Sequence, residues 1–132
     1  MTLAPLLHAT PAIQWHAFAA MAALVLGVAQ FALPKGTVAH RSIGWLWVAL
    51  MLVVSLSAFS IHQLRIWGPW SPIHLLAIFT LVMLPIGVWR AHRHNVRAHR
   101  ATMIGIYVGG LVIAGLFTLV PGRIMHAVVF GP

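Results

Sequence analysis

Nine histidines are spread along a chain of 132 residues that has no cysteine, no aspartate and no glutamate. That inventory sets the chemistry. Without carboxylates there is no general acid–base pair of acids, no Ser–His–Asp triad, no oxygen cage for calcium or magnesium and no carboxylate proton relay. Without thiols there is no disulfide, thiolate metal site or iron–sulfur cluster. Imidazole remains, helped by a single tyrosine and by Ser, Thr, Gln, Met and Arg. It ligates haem iron in helical bundles and suits copper and zinc.

The elements that must carry these histidines are membrane helices. The chain is 61% hydrophobic and 6% charged, far from the roughly 25% charge of soluble domains. Four apolar segments, residues 13–33, 44–64, 73–90 and 101–121, each have the length of a bilayer crossing. The expectation is an all-α, up-down-up-down bundle of four membrane helices forming a single domain over 1–132. The breaks PKGTVAHRSIG and RIWGPWSP carry proline and glycine, whereas AHRHNVRAHR carries Arg and His. The N-terminus has no basic stretch ahead of its first apolar run, so the first helix is expected to stay in the mature protein.

Charge gives a direction. The stretch WRAHRHNVRAHRATM (89–103) holds Arg90, Arg93, Arg97 and Arg100; with Lys35 and Arg41 in the first loop, six of the eight bases fall on one side, and Arg65 and Arg123 fall on the other. The positive-inside rule makes those two loops cytoplasmic and both termini external. A formal charge of +8 invites a nucleic-acid reading, but bases in short loops beside apolar spans lie nearer to anionic phospholipid headgroups. Lipid is the expected partner, and no nucleic acid. Trp15, Trp45, Trp47, Trp67, Trp70 and Trp89 fall near span ends, where interfacial aromatic anchors belong.

With that orientation the histidines sort into two tiers. His16, His62, His74 and His126 lie near the external face, and His40, His92, His94 and His99 near the cytoplasmic one; His8 is in the N-terminal tail. His74 and His92, eighteen positions apart, project from one side of a helix, and His40 and His62, twenty-two apart, differ by about 40°. Arg41, Ser55 and His62 make a polar stripe on the second helix, and His16 and Gln30 share a face of the first. Polar stripes in membrane helices turn inward. The ordinary alternative is a histidine bathed by headgroups, and it fits His92 and His94 best.

Small residues supply the packing faces. Ala20, Ala23 and Gly27 form a stripe in the first helix, and Gly105, Gly109, Gly110, Ala114 and Gly115 form one in the fourth. Such faces bring helix backbones close in lipid, within the chain or against a second copy or membrane partner. Pro85 should kink the third helix and free the carbonyl of Leu81.

The order of these residues resembles a family of bacterial predicted membrane proteins, domain of unknown function 2306. The likeness runs through His16, Gly27 and Gln30; AHRSIGWLWV with His40, Arg41 and Gly44; WSPIHLL with His74; RAHRATMIGIY with His99, Arg100, Met103 and Tyr107; and VPGRIM with Pro121, Gly122 and Arg123. Trp47 stands where the family pattern has a tyrosine. The resemblance implies the four-helix fold and the bacterial inner membrane, and carries no activity.

Three functions compete. The first is a redox protein binding a b-type haem or a quinone, with His16, His74, His40, His99, Gln30, Arg41 and Arg100 as cofactor-binding residues. Histidine pairs on one helix lie about 27–33 Å apart, which favours a single haem near one face over two stacked haems. In this reading His40 and His99 approach each other beside Gln30, Arg41 and Arg100 in a basic pocket. The second is a transition-metal site of His16, His62 and His74, with His126 or water as fourth ligand. The third is a structural or assembly subunit without a cofactor.

Overall fold

Side-chain caps, and not hydropathy, set the starts of two of the long helices. The computed structural model describes residues 1–61 and 72–131, and among them there is no strand. A short helix α1 (Ala4–Leu7) leads into α2 (Pro11–Ala32); α3 (Val38–Ala58), α4 (Pro72–His92) and α5 (Val96–Phe117) follow, and α6 (Ile124–Phe130) closes the chain. α2 to α5 are long and apolar enough to cross a membrane. Thr37 Oγ1 accepts the backbone N–H of His40 and starts α3 six residues before the apolar segment read from sequence. Asn95 Oδ1 accepts that of Ala98 and starts α5 five residues early. Each cap satisfies an N–H left bare at a helix start, so a polar turn is added ahead of the apolar run. His40 and His99 therefore stand inside helices.

The turns are short for similar reasons. Lys35 Nζ donates to the carbonyls of Gln30, Phe31 and Leu33 at 2.6–2.9 Å and closes the end of α2. His94 takes φ 55°, the left-handed conformation that lets three residues reverse the chain between α4 and α5.

α2 packs on α3, α3 on α4 and α4 on α5, and α5 returns to α2 through Tyr107–Ile113. The four form a ring in which α2 faces α4, and α3 faces α5, across the centre. The core is Ala23, Trp47, Met51, Leu84, Ile106 and Leu111. Val25, Leu56, Val82 and Leu116 point outward, more than half exposed, as lipid-facing residues do. The chain ends meet: Thr2 N–H donates to Val128 O at 3.0 Å and α1 lies on α6. The N-terminal tail of the sequence reading is thus a folded cover, with Leu6 fully buried.

Two expectations need correction. Trp15, Trp45 and Trp89 are exposed as interfacial anchors should be, but Trp47 is buried, its Nε1–H donating to Ala23 O at 3.0 Å. It lies two turns inside α3 because the helix begins at Val38. Trp67 and Trp70 lie outside the described residues. The second correction concerns the small-residue face of the fourth helix. Residues Tyr107–Ile113 form a π-helix, whose wider turn shifts the glycine register. Gly105 meets nothing, whereas a Cβ on Gly110 would sit 2.9 Å from Thr80 Oγ1 and 3.2 Å from Met51 Cε. Gly110→Leu is expected to lower the melting temperature in detergent, and Gly105→Leu to leave it unchanged; equal melting of the two variants would contradict this packing. Pro85 lies within α4 on an exposed face.

Candidate functional site

The ring arrangement decides which histidines can meet. α2 and α4, on opposite sides of the ring, bring His16 and His74 to the end that carries the termini. α3 and α5 bring His40 and His99 to the other end. Each pair therefore spans the bundle from two facing helices.

At the terminal end His16 and His74 both line a cavity of about 430 Å³, within the roughly 300–1,000 Å³ typical of small-molecule and cofactor sites. Its walls are mostly apolar, from Ala17, Met51, Ala77 and Leu111 among others; Ser55, Thr80 and Thr118 add hydroxyls, and Leu6 closes it. His16 Nδ1 lies 2.9 Å from Val54 O and 3.0 Å from Ser57 Oγ. A carbonyl cannot donate, and the Ser57 hydroxyl already donates to the carbonyls of Val53 and Val54. The proton must then be on His16 Nδ1, which leaves a lone pair on Nε2. His74 is 4% exposed; the Phe59 ring lies 6.2 Å from its own, centroid to centroid.

Arg123 forms part of the same wall, and its Nη1 is buried without a hydrogen-bond partner. Burial holds its guanidinium below the ordinary arginine range. The chain contains no acid that could pair with it. Sequence reasoning placed Arg123 in a motif but not in a site. The signal was available, since it is the one base after the fourth span of an acid-free chain and it follows the Pro121–Gly122 turn. Gly122, at φ 92°, provides the left-handed step that turns the chain back over the bundle.

His126 belongs elsewhere. Its Nδ1 lies 2.8 Å from Leu119 O, and it lines a separate recess of about 270 Å³ that shares only Arg123 and Ile124 with the main cavity. Among the described residues no three histidines gather as a metal site would require. His62 lies outside them.

At the opposite end Gln30 Nε2 donates to His40 O at 2.8 Å, and His99 Nδ1 lies 2.8 Å from Gly87 O. Arg41 and Arg100 are exposed, facing outward from α3 and α5. Arg90 donates to Thr102 Oγ1 at 2.6 Å and ties α4 to α5. His92 and His94 are exposed; the His92 ring lies 6.2 Å from that of Trp45, centroid to centroid.

No curated protein and no solved structure matches the chain. A family model does, over residues 13–130, which include both histidine pairs, and the chain belongs to that family of predicted membrane proteins, domain of unknown function 2306.

Proposed function

We propose that this protein is a small membrane redox carrier whose cavity at the terminal end takes a b-type haem, with His16 and His74 as the residues that would hold it. One observation carries the reading: imidazoles from two facing helices line a single apolar cavity, and one of them has its Nδ1 proton fixed on a carbonyl. A ligating histidine is commonly held in this way, its other nitrogen donating to a backbone carbonyl so that ring orientation and tautomer are set in advance. Haem supplies one-electron chemistry when bound. The chain's own contribution is to exclude water, orient the two rings and supply Arg123, whose unpartnered Nη1 suits a propionate. An acid-free chain offers that guanidinium no competing partner. On the same reading the chain resides in the bacterial cytoplasmic membrane with both termini external, by its distribution of bases.

The test is an absorption spectrum of the full-length protein, purified in detergent and supplied with haemin. Wild type should show a Soret band and a sharp reduced spectrum typical of two imidazole ligands. His16→Ala and His74→Ala should each lose at least about tenfold in haem affinity, in the range that perturbing a ligand set produces. His126→Ala should match wild type. Folded wild type that takes up no haem would end the proposal.

A further inference from the structure

The cavity at the terminal end opens sideways. α2 meets α5 along Tyr107–Ile113, and among the described residues the stretch of α5 that follows, Ala114–Phe117, has no comparable packing on α2. Three residues that line the cavity, Leu24, Val112 and Leu116, are also exposed on the outside of the bundle, at 41%, 40% and 63%. All three stand on α2 and α5, within the segments that cross the membrane. The mouth of the cavity is therefore the seam between these two helices, and it faces lipid. A Cβ on Gly115, another lining residue of α5, would meet nothing within 4 Å. The contact of Gly27 with the Tyr107 ring closes the seam at its lower end. Above it α2 borders the cavity from Leu24 to Ile13, about 16 Å at the helical rise.

Arg123 stands at the head of this groove, just beyond the end of α5. Among the described residues it is the only permanent charge on the cavity wall. Its Nη1 is buried without a hydrogen-bond partner, and the chain has no acid to meet it. A desolvated guanidinium is stabilised by an acidic partner that takes its N–H groups. One cation matches one negative charge, hence a carboxylate, and the apolar walls below it match an acyl chain. We infer that the cavity is a binding site for a single-chain fatty acid of the bilayer, which enters between α2 and α5 with its carboxylate on Arg123 and its chain along the seam toward Tyr107. An amphiphile in the leaflet on the terminal side already lies with its head at the surface and its chain inward. It can slide in sideways without carrying its charge through the apolar core, where a charge is costly. The inference goes beyond the haem reading and does not need it. A fatty acid and a haem propionate claim the same guanidinium, so the cavity takes one or the other.

The experiment is photolabelling of the full-length protein, without haemin, in phosphatidylcholine nanodiscs at about pH 8, where a carboxyl is ionised. The probes are dodecanoic acid carrying a diazirine in its chain and the matching dodecanol, with plain dodecanoate as competitor. Label from the acid should saturate, fall on the cavity-lining residues of α2 and α5, and be displaced by the competitor. The acid should bind at least about tenfold more tightly than the alcohol, the difference that one charge-assisted hydrogen bond makes. Arg123→Gln should bring the acid down to the affinity of the alcohol. The comparison of acid with alcohol is made on wild type, so it decides the matter whether or not that variant folds. Label spread over the lipid-facing sides of all four spans, equal affinity for acid and alcohol, or an acid preference that survives in folded Arg123→Gln would each overturn the assignment. Because no haemin is present, failure here leaves the haem proposal standing, and failure of haem uptake leaves this one.

Discussion

Trp47→Ala is expected to destabilise the bundle by about 3 kcal/mol, at the lower end of the range for removing a buried aromatic ring. Trp47 is 6% exposed and packs in the core with Ala23, Met51, Leu84, Ile106 and Leu111. The low end applies because an unfolded membrane helix faces lipid and not water, so little transfer energy is at stake. What is lost is dispersion contact and a cavity that the neighbours fill only in part. The indole hydrogen bond to Ala23 O adds little, since that carbonyl still receives its helical partner four residues on. Trp47→Phe should therefore recover most of the stability, to within about 1 kcal/mol of wild type. Equilibrium unfolding in mixed micelles measures both, and a Trp47→Ala variant as stable as wild type would mean that the ring faces lipid.

Gly27→Ala should destabilise by about 2 kcal/mol through overpacking, against the gain of up to about 1 kcal/mol that alanine brings to a helix interior. The sign is what makes the variant informative. A Cβ on Gly27 would overlap the Tyr107 ring. That ring is held at both ends, its hydroxyl donating to Leu24 O at 2.9 Å and its edge meeting Phe31 with centroids 5.1 Å apart. It has no direction in which to yield without breaking one contact. In a Tyr107→Ala background the same Gly27→Ala change should cost nothing or stabilise. The double-mutant cycle reads the clash as a coupling energy, and additive effects would show that α2 and α5 approach less closely than described.

The contact of Gly27 with Tyr107 marks where α5 meets α2, and the stretch of α5 that begins there also shapes the cavity. The π-helical turn at Tyr107–Ile113 brings Gly110 against Thr80 and Met51, and Gly110, Leu111 and Val112 then line the space between His16 and His74. A regular α-helical turn there would rotate the downstream residues of α5 around the helix axis. π-turns are rare and concentrate at functional sites, and this one lies beside the cavity.

The four spans, their order and the tiering of the histidines were legible in the sequence because they depend on quantities carried by each segment alone. An apolar run of about twenty residues must form a helix in lipid, where no water satisfies the backbone, and the position of a histidine along that run fixes its depth. Ala23 and Gly27 were legible as a contact face for the same reason, since only small side chains let helices approach. The placement of Trp47 depended on where α3 begins, and that was decided by a hydrogen bond from Thr37 that hydropathy does not register. Gly105 was misjudged because the spacing of four residues assumes a regular helix, and a π-turn breaks that period. The grouping of His16 with His74, and of His40 with His99, was expected from shared depth alone; which helices face each other was beyond the sequence. Depth is a property of one helix, but facing is a property of the ring, set by which neighbours each helix packs against. Arg123 entered the cavity wall for a similar reason: only the return of the chain over the bundle through Gly122 carries it there. The sequence by itself thus determined the chemistry allowed, imidazole and guanidinium without acids, and the level at which it sits. Tertiary structure alone decided which of those groups share a cavity, because helix packing in lipid is settled by the fit of whole faces and not by any one segment.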